Sequence, residues 1–551
     1  MAEYQQFPQP LTMIIPSVSD IRWDAATLAT VAAGVLASVV LLHVGVYLLD
    51  PHSIKRYPGP WLAKFTDLWL IRVSYNGHRS EDVHRLHEKH GAFVRLAPNH
   101  VSIAIPDALA VVYGHGNGAL KSEFYDAFVS IRRGLFNTRD RAEHTRKRKI
   151  VSHIFSQKNV LEFEPHLRLH VGELIDQWDR LFGLSLKGKS GVEGEGWEGR
   201  DGRLWLDVLP WANYLAFDII GDLAFGAPFG MITAAKDMAV IPVKNEDGLR
   251  SYGQDSKDVE VKEIPAVKIL NDRGEFSMTM GVMPPWLRPL ARKTPLFSVG
   301  SYAVRCLAGI AIHAVGKRLV TPTDRNDLLS KLQSGKDDKG NPLGKEELTA
   351  EALTLLIAGS DTTSNSTCAI IYYLAREPRA QEKLQKELDE ILDENVATAE
   401  QVKNLSYLDA CINEGLRLHS TSSIGLPRIS PPGGLTIEGH HFPEGTILSV
   451  PSYTIHRDPK IWGEDIEEFR PERWFEQDQA DIQKTFNPFS VGPRACVGRN
   501  LAQLELQIII GSILRHFHFV LEKPDQTLET REGFLRKPLK CRLGIKRRDL
   551  I

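Results

Sequence analysis

The residues with the clearest chemical meaning surround a single cysteine near the end of the chain. Cys496 lies in the segment FSVGPRACVG at residues 489–498, and a helical pattern begins just after it, from Asn500 to His516. A sulfur at a helix N-terminus is favoured as a thiolate, because unpaired N–H groups and the helix dipole attract negative charge. Arg494 can pair with a carboxylate such as a porphyrin propionate. A free cysteine is usually packed as a small hydrophobic residue, but these phenylalanine, glycine and arginine neighbours favour a thiolate ligand of haem iron.

The segment matches, at every specified position, the haem-binding signature Phe-x-x-Gly-x-Arg-x-Cys-x-Gly, and it therefore resembles the cytochromes P450. The resemblance implies haem b with Cys496 as its axial thiolate, and with Phe489 and Arg494 also in contact with the cofactor. It implies dioxygen and NADPH as co-substrates, and a mostly α-helical fold with a small β subdomain. Helical patterns indeed dominate the chain, while strand-like stretches such as residues 93–96 and 435–437 are few.

A second chemical cluster lies on a long helix, predicted from Glu346 to Ala375 because Pro378 ends the pattern. Within it, residues 358–363 read AGSDTT. Small residues, beginning with Ala358, would let a ligand pass close to the helix. Asp361 and Thr362 provide an acid and a hydroxyl for a proton relay, and a threonine can bond a carbonyl one turn back and bend the helix. The resemblance makes this the oxygen-activating helix and makes both residues catalytic.

Three further residues resemble an ion-pair network that stabilises the haem pocket in the family. Glu414 and Arg417 are spaced i and i+3, which places them on one face of a predicted helix. Such spacing is common on solvated surfaces and means little alone. In the family an arginine from a later segment joins the pair, and Arg473 matches it here. The resemblance implies a structural role for all three residues and no catalytic role.

Other basic residues are candidates for contact with the haem propionates. Many family members carry Trp-x-x-x-Arg where this chain has His144 and Arg148. Histidine can donate a ring N–H to a carboxylate, so His144 is a candidate although it departs from the pattern. Arg428, just past a predicted turn, is a further candidate. The remaining basic residues near Arg148 form either a solvated helix face or a surface for an acidic redox partner.

Longer segments resemble a fungal subfamily, the benzoate 4-monooxygenases. They lie at residues 121–130, 134–144, 213–222 and 527–538, and the similarity covers most of residues 56–547. The implied reaction is hydroxylation of benzoate at the ring carbon para to the carboxylate. A dry pocket holds an anion only if it offers donors. The candidate substrate contacts are Tyr125, Arg133, Ser422, Ser423 and Ala358; Arg133 is equally explained by a surface or propionate contact, and the serines by turn capping.

Three other functions stay open. One is a related monooxygenase that acts on another small aromatic or phenylpropanoid substrate. Another is a haem-thiolate isomerase or peroxide-dependent enzyme that needs no reductase, although the pair Asp361 and Thr362 argues against it. The third is a membrane-anchored haem carrier without chemistry.

Composition bounds the class of protein. The chain has 551 residues, 42% of them hydrophobic, which is ample for a large core. Its net charge of -2 gives no reason to expect nucleic acid as a partner. The five cysteines are odd in number and widely scattered, so we expect no disulfide framework and a reducing compartment.

The N-terminal region predicts a membrane anchor. Residues 25–49 carry no formal charge and are long enough to cross a hydrocarbon core of about 30 Å; a buried or membrane-surface helix is the alternative. Lys55 and Arg56 follow the segment, which places the catalytic body on the cytosolic side of the endoplasmic reticulum membrane. The predicted organisation is a lumenal tail (1–24), a transmembrane anchor (25–49), a Pro-rich hinge (50–60) and a haem-thiolate domain (61–551). Electrons are expected from a separate NADPH–cytochrome reductase flavoprotein.

Two polar tracts interrupt the predicted catalytic domain, at residues 183–203 and 245–262. Glycine or charge is abundant in each, and apolar residues are scarce. Both are predicted to be exposed insertions between helices.

Overall fold

A computed structural model describes residues 24–252, 259–320, 327–337 and 340–549. The predicted lumenal tail therefore lies outside the described residues except for Asp24. The chain divides into two compact units, residues 1–51 and 52–551. The predicted domain boundaries remain predictions. Residues 52–60 of the predicted hinge belong to the second unit, where Ile54 and Tyr57 are buried in the core and Arg95 N–H donates to Pro58 O.

Within the described ranges the helices of twelve or more residues are numbered α1 to α11. They are α1 Ala25–Leu49, α2 Arg79–His90, α3 Arg141–Ser152, α4 Glu164–Ser185, α5 Val208–Phe225, α6 Ala266–Val282, α7 Ser298–Val320, α8 Lys345–Arg376, α9 Pro378–Ile391, α10 Ser406–Leu418 and α11 Arg499–His516. Shorter helices are Leu68–Asn76, Asp107–Tyr113, Gln157–Leu161, Met231–Ala234, Asn245–Arg250, Arg288–Ala291, Leu328–Ser334, Ala399–Val402, Ser452–Ile455, Pro459–Trp462, Arg473–Glu476 and Gln479–Thr485.

The strands of the described residues form small sheets. They are β1 Phe93–Ala97, β2 His100–Ile103, β3 Leu120–Lys121, β4 Ser190–Gly191, β5 Trp197–Arg200, β6 Arg203–Asp207, β7 Ala239–Pro242, β8 Val261–Ile264, β9 Arg428–Ile429, β10 Leu435–Ile437, β11 His440–Phe442, β12 Ile447–Ser449, β13 Phe517–Leu521, β14 Thr530–Glu532, β15 Arg536–Pro538 and β16 Arg542–Arg547. Two sheets have five strands, in the orders β1-β2-β12-β9-β3 and β13-β16-β6-β5-β4, and three are two-stranded. The prediction of a mostly α fold with small sheets is confirmed.

No residue of helix α1 is buried. Its 25 residues span about 37 Å at the α-helical rise, which exceeds a hydrocarbon core of about 30 Å. The polar side chains of Thr30, Ser38 and His43 each hydrogen-bond a carbonyl four residues earlier in the helix. Because these groups are satisfied within the helix, they do not prevent burial in lipid. Helix α1 is therefore a candidate membrane anchor.

A second described helical stretch, Pro295–Val320, is also long and apolar enough to cross a membrane. Half of its most apolar window is buried inside the protein, where α7 packs against α6 and α8. These contacts account for its apolar composition as that of a core helix.

Helix α8 organises the core of the large unit. It packs against α5, α7, α10 and α11, so it contacts the helix that follows Cys496 and the helix that carries Glu414. Most of its residues from 347 to 375 are buried. The predicted bounds of this helix and of α11 are each within one residue of those observed.

The prediction for the first polar tract is wrong in part. Helix α4 continues to Ser185, and residues 190–191 and 197–200 then form β4 and β5 at the edge of a five-stranded sheet. Trp197 is buried there, which gives the glycine-rich tract a core contact that its composition conceals. In the second tract, residues 245–250 are helical and Val261 begins β8, while residues 253–258 lie outside the described ranges.

Candidate active site

The backbone of the loop that carries Cys496 is held by a hydrogen bond within the loop and by close contact with Tyr113. Cys496 N–H donates to Phe489 O at 2.9 Å, and α11 begins three residues later at Arg499. Gly492 has φ +75°, and a Cβ at that position would lie 1.9 Å from Tyr113 O. Only glycine satisfies both the left-handed backbone and this close approach. The loop therefore presents its cysteine in one orientation.

Cys496 differs from the other cysteines of the chain in its surroundings. All five cysteines are free, as predicted, and four are buried, whereas Cys496 is open to the main cavity. Burial of the loop raises the pKa of its thiol, while the N–H of Gly498 and the charges of Arg148 and Arg499 oppose that rise. The Gly498 N–H and the two arginines therefore favour the thiolate, whereas burial opposes it. A bound metal cation deprotonates a coordinating thiol outright.

A group of cations surrounds one side of this cavity. Arg428 and Arg494 line it, and so does Lys121, which sequence reasoning missed. Burial, and then the charges of Arg428, Arg494 and Arg148, lower the pKa of Lys121 well below its ordinary value. Within the described ranges none of these four residues has a carboxylate at ion-pair distance. The cluster is therefore a candidate anion site, because the described residues supply no carboxylate to pair with it.

The strand pairing makes this anion site unusual. Lys121 on β3 lies directly opposite Arg428 on β9, an arrangement of like charges that is destabilising by itself. Arg428 Nη1 donates to Tyr125 Oη at 2.8 Å, but Nη2 is buried without a hydrogen-bond partner among the described residues. An orphaned guanidinium donor beside a second buried cation suits the propionates of haem b. The residues present therefore fit the cofactor implied by the cysteine signature.

The other two predicted propionate contacts, Arg148 and His144, are not part of the cavity lining. Arg148 Nη1 donates to Ala495 O at 2.7 Å, so it supports the cysteine loop directly. His144 is buried, and burial followed by the charge of Arg494 lowers its pKa to about 3. Among the described residues, the lining of the main cavity includes Phe489 but neither His144 nor Arg148. Their assignment as cofactor contacts stays a prediction.

The substitution Lys121→Met tests separately how Lys121 affects the stability of the haem-free protein and how it affects the retention of haem. Without haem, the variant should be more stable to urea than the wild type, because a buried like-charge pair is removed. With haem, cofactor transfer to an acceptor protein should be about tenfold faster, because one charge-assisted hydrogen bond is lost. Arg133→Gln, at an exposed position, is the matched control and should change neither quantity. Unchanged haem transfer in Lys121→Met would contradict the assignment.

Helix α8 brings only one member of the predicted relay to the cavity. Thr362 lines it and donates to Ala358 O at 2.6 Å, the bond expected from sequence. Asp361 is half-buried on an adjacent face, where it accepts a hydrogen bond from Asn365 at 2.9 Å. Burial raises the pKa of Asp361, against the opposing charges of Lys537 and Arg273. The helix is continuous through Thr362.

A different acid lines the cavity. Glu505 on α11 accepts a hydrogen bond from Thr363 Oγ1 at 2.9 Å, and both residues line the cavity. Burial raises the pKa of Glu505 to about 7, so this carboxyl exchanges a proton near neutral pH. Glu505 was not identified from sequence, where it lies nine residues after Cys496 within an apolar helical pattern.

Glu414 is the centre of a buried ion network. Its carboxylate accepts from Arg417 Nε at 2.9 Å and from Arg473 Nε at 2.8 Å, and all three side chains are fully buried. Trp474 Nε1 and the backbone N–H of Arg470 also donate to it, at 3.1 Å each. The network joins α10 to the segment that precedes the cysteine loop.

The predicted substrate contacts separate into two groups. Tyr125, Ser422 and Ala358 line the main cavity. Arg133 does not; it pairs with Asp126 at 2.6 Å on the surface, so the surface alternative describes its position. Ser423 is buried away from the cavity lining and donates to Ser420 O, which corresponds to the turn-capping alternative.

Aromatic rings form one wall of the cavity. Phe534 contacts Phe128 and Phe136 edge to face, with ring centroids 4.9 and 5.2 Å apart, and all three line the cavity. Aromatic rings pair with one another in edge-to-face or offset-stacked arrangements. The wall suits an aromatic ligand.

Comparison with known proteins agrees with this chemistry. The family model described as Cytochrome P450 matches residues 57–545. Benzoate 4-monooxygenase bphA of Aspergillus niger is 50% identical over 525 residues, covering 93% of this chain and 96% of that protein. Cytochrome P450 monooxygenase ORF9 of Penicillium roqueforti is 31% identical over 88% of this chain and 86% of its own. Averantin hydroxylase of Dothistroma septosporum is 29% identical, with coverage of 93% and 90%.

Proposed function

Because the chain belongs to the cytochrome P450 family, a family of haem-thiolate proteins that use dioxygen, we propose that it hydroxylates benzoate to 4-hydroxybenzoate. The observation that carries the proposal is the 50% identity, over nearly the full length of both chains, to the benzoate 4-monooxygenase of Aspergillus niger. The aromatic wall and buried cations of the cavity support a small aromatic acid as the substrate. Another small aromatic substrate is the alternative.

The atoms and charges of the proposed reaction balance when two electrons are supplied from outside the protein. Benzoate, dioxygen, two electrons and two protons give 4-hydroxybenzoate and water, and a new C–O bond replaces the para C–H bond while its hydrogen remains as the hydroxyl proton. NADPH supplies the electrons through a separate flavoprotein reductase. Haem b, when bound through Cys496, supplies the dioxygen chemistry, and thiolate ligation favours O–O cleavage.

The residues of the chain bind, orient and move protons. Arg428, Arg494 and Lys121 hold the cofactor carboxylates, and the phenylalanine wall excludes water from the ring. Thr362 lies where it can orient a proton donor beside the small residues of α8. Asp361 precedes Thr362 on α8 and Glu505 accepts a hydrogen bond from Thr363, so both acids are candidates for that donor.

We further propose that α1 anchors the protein in the endoplasmic reticulum membrane with the large unit in the cytosol. Lys55 and Arg56 directly after the anchor support this orientation. The reductase would then reach the protein from the same side.

Thr362→Ala should uncouple oxygen consumption from hydroxylation. The alanine removes the hydroxyl that orients protons, so hydrogen peroxide should rise and 4-hydroxybenzoate formed per NADPH should fall severalfold. Product, peroxide and NADPH consumption are measured in one reconstituted reaction. Ser364→Ala, on the same helix but away from the cavity, is the control and should keep the wild-type ratio. Equal ratios in the two variants would contradict the role of Thr362.

The proposed function is tested by turnover in vesicles that contain the protein and its reductase. The expected product is 4-hydroxybenzoate, formed only when NADPH and oxygen are both present. Product from another aromatic substrate but none from benzoate would select the related-monooxygenase alternative. Turnover with peroxide alone would select the reductase-independent enzyme, and no turnover would select the haem carrier.

A further inference from the structure

The main cavity contains a buried arginine that the haem and the relay do not use. Arg273 lies on α6, has 5% of its surface exposed, and lines the cavity. Its Nη2 donates to Phe128 O at 2.9 Å, while Nε has no hydrogen-bond partner among the described residues. A buried guanidinium with an unused donor is costly unless a ligand completes its hydrogen bonds.

Arg273 lies on a different element from two of the cations assigned to the propionates. It belongs to α6, whereas Lys121 and Arg428 belong to the paired strands β3 and β9. The charge of the Asp361 carboxyl opposes the lowering of the Arg273 pKa by burial. In the part of the chain that the structure describes, no carboxylate lies within ion-pair distance of Arg273. The cavity is therefore lined by a buried cation on α6 as well as by those on β3 and β9.

Asp361 does not neutralise Arg273 fully. Its carboxylate accepts a hydrogen bond from Asn365 and is also coupled to the charge of Lys537. Burial lowers the pKa of Arg273 only to about 10, so the guanidinium keeps its charge at neutral pH. An anionic ligand is therefore attracted to this side of the cavity.

The aromatic wall begins at the same place. The guanidinium carbon of Arg273 lies 5.2 Å from the ring centroid of Phe128, and Phe128 packs edge to face against Phe534. A ligand that accepts hydrogen bonds from Arg273 would extend its next atoms along these rings. An aromatic carboxylate has this combination of a planar anion and a flat apolar body.

We propose that Arg273 binds the substrate carboxylate and thereby directs the para carbon toward the side of the cavity that contains Cys496. The inference rests on the proposed function and names the residue that sets its regiochemistry. Arg132 is another cation at the cavity, but its side chain is exposed, so water competes for its hydrogen bonds. Arg273 is the buried donor of the pair.

The test compares a charged ligand with its neutral ester. In R273Q the dissociation constant for benzoate, from spectral titration of the ferric protein, should rise about 10- to 100-fold, the loss expected for a charge-assisted contact. The dissociation constant for methyl benzoate should change much less, because the ester carries no charge. Residual turnover should give ortho and meta products beside the para product. R133Q, an exposed arginine outside the cavity, is the matched control and should match the wild type.

Several results would overturn the proposal. One is an unchanged benzoate dissociation constant in R273Q that still shows the red-shifted carbon monoxide band of the folded haem protein. Another is equal weakening of benzoate and methyl benzoate, which identifies a packing role. A larger benzoate effect in R132Q than in R273Q would assign the anchor to the exposed arginine.

A second variant, R273K, keeps the proposal testable if R273Q does not fold. R273K keeps the charge but loses the planar fork, so its preference for benzoate over the ester should fall severalfold; an unchanged preference would overturn the proposal. The proposed function fails in a different way, when the wild type binds benzoate but makes no 4-hydroxybenzoate.

Discussion

Cys496→Ser should abolish hydroxylation and remove the red-shifted Soret band of the reduced, carbon monoxide-bound protein. The cysteine loop is held by the Phe489 carbonyl and by Gly492, so a serine would occupy the same position with an oxygen in place of sulfur. Serine does not provide the electron-rich thiolate that favours O–O cleavage. Turnover should fall on the order of 10³-fold or more, the scale seen when a group used in every cycle is removed.

The matched control for this substitution is Cys306→Ser. Cys306 is buried on α7 and is a free thiol like Cys496, but it does not line the cavity. The control should keep the red-shifted band and its turnover even if its stability falls slightly. A band that survives in Cys496→Ser, or one that is lost equally in both variants, would contradict the assignment of the ligand.

Glu414→Ala should cause the largest loss of stability of any single substitution considered. The alanine leaves two fully buried guanidinium groups, those of Arg417 and Arg473, without the carboxylate that both of them contact. Breaking a buried pair from one side costs about 3–5 kcal/mol, because the remaining charge is uncompensated. Urea unfolding of the variant, followed by tryptophan fluorescence, measures this loss, and haem content measures its effect on the pocket.

An exposed ion pair provides the comparison for Glu414. Glu263 pairs with Lys236 on the surface, where both side chains are about half exposed. Glu263→Ala should change the free energy of unfolding by at most about 1 kcal/mol. If Glu414→Ala unfolded within the same range as Glu263→Ala, burial of the network would not have the assigned energetic weight.

The sequence predicts the elements whose signals are local. The bounds of α8 and α11 follow from apolar periodicity and from Pro378, and the loop around Cys496 follows from glycines that only a tight turn requires. The candidate membrane helix follows from a long uncharged segment. In each case the information lies within about thirty consecutive residues.

The parts that could not be predicted depend on contacts between distant segments. Lys121 lies opposite Arg428 only because β3 pairs with β9. Arg273 lies in a helix without any recognisable motif, and its proximity to Phe128 exists only after folding. For Arg133 and Asp361 the sequence misleads in the opposite way: each is next to cavity residues in the sequence but points to a different face of its turn or helix. Arg133 therefore meets Asp126 on the surface instead of the cavity.

A benzoate-sized anion should bind in the cavity beside a haem held by Cys496. Titration of the ferric wild-type protein with benzoate measures this binding, because a ligand beside the haem would shift its Soret band. We expect a saturable shift for benzoate that is weaker for methyl benzoate. No shift with benzoate, together with a saturable shift for a neutral lipophilic aromatic, would contradict it.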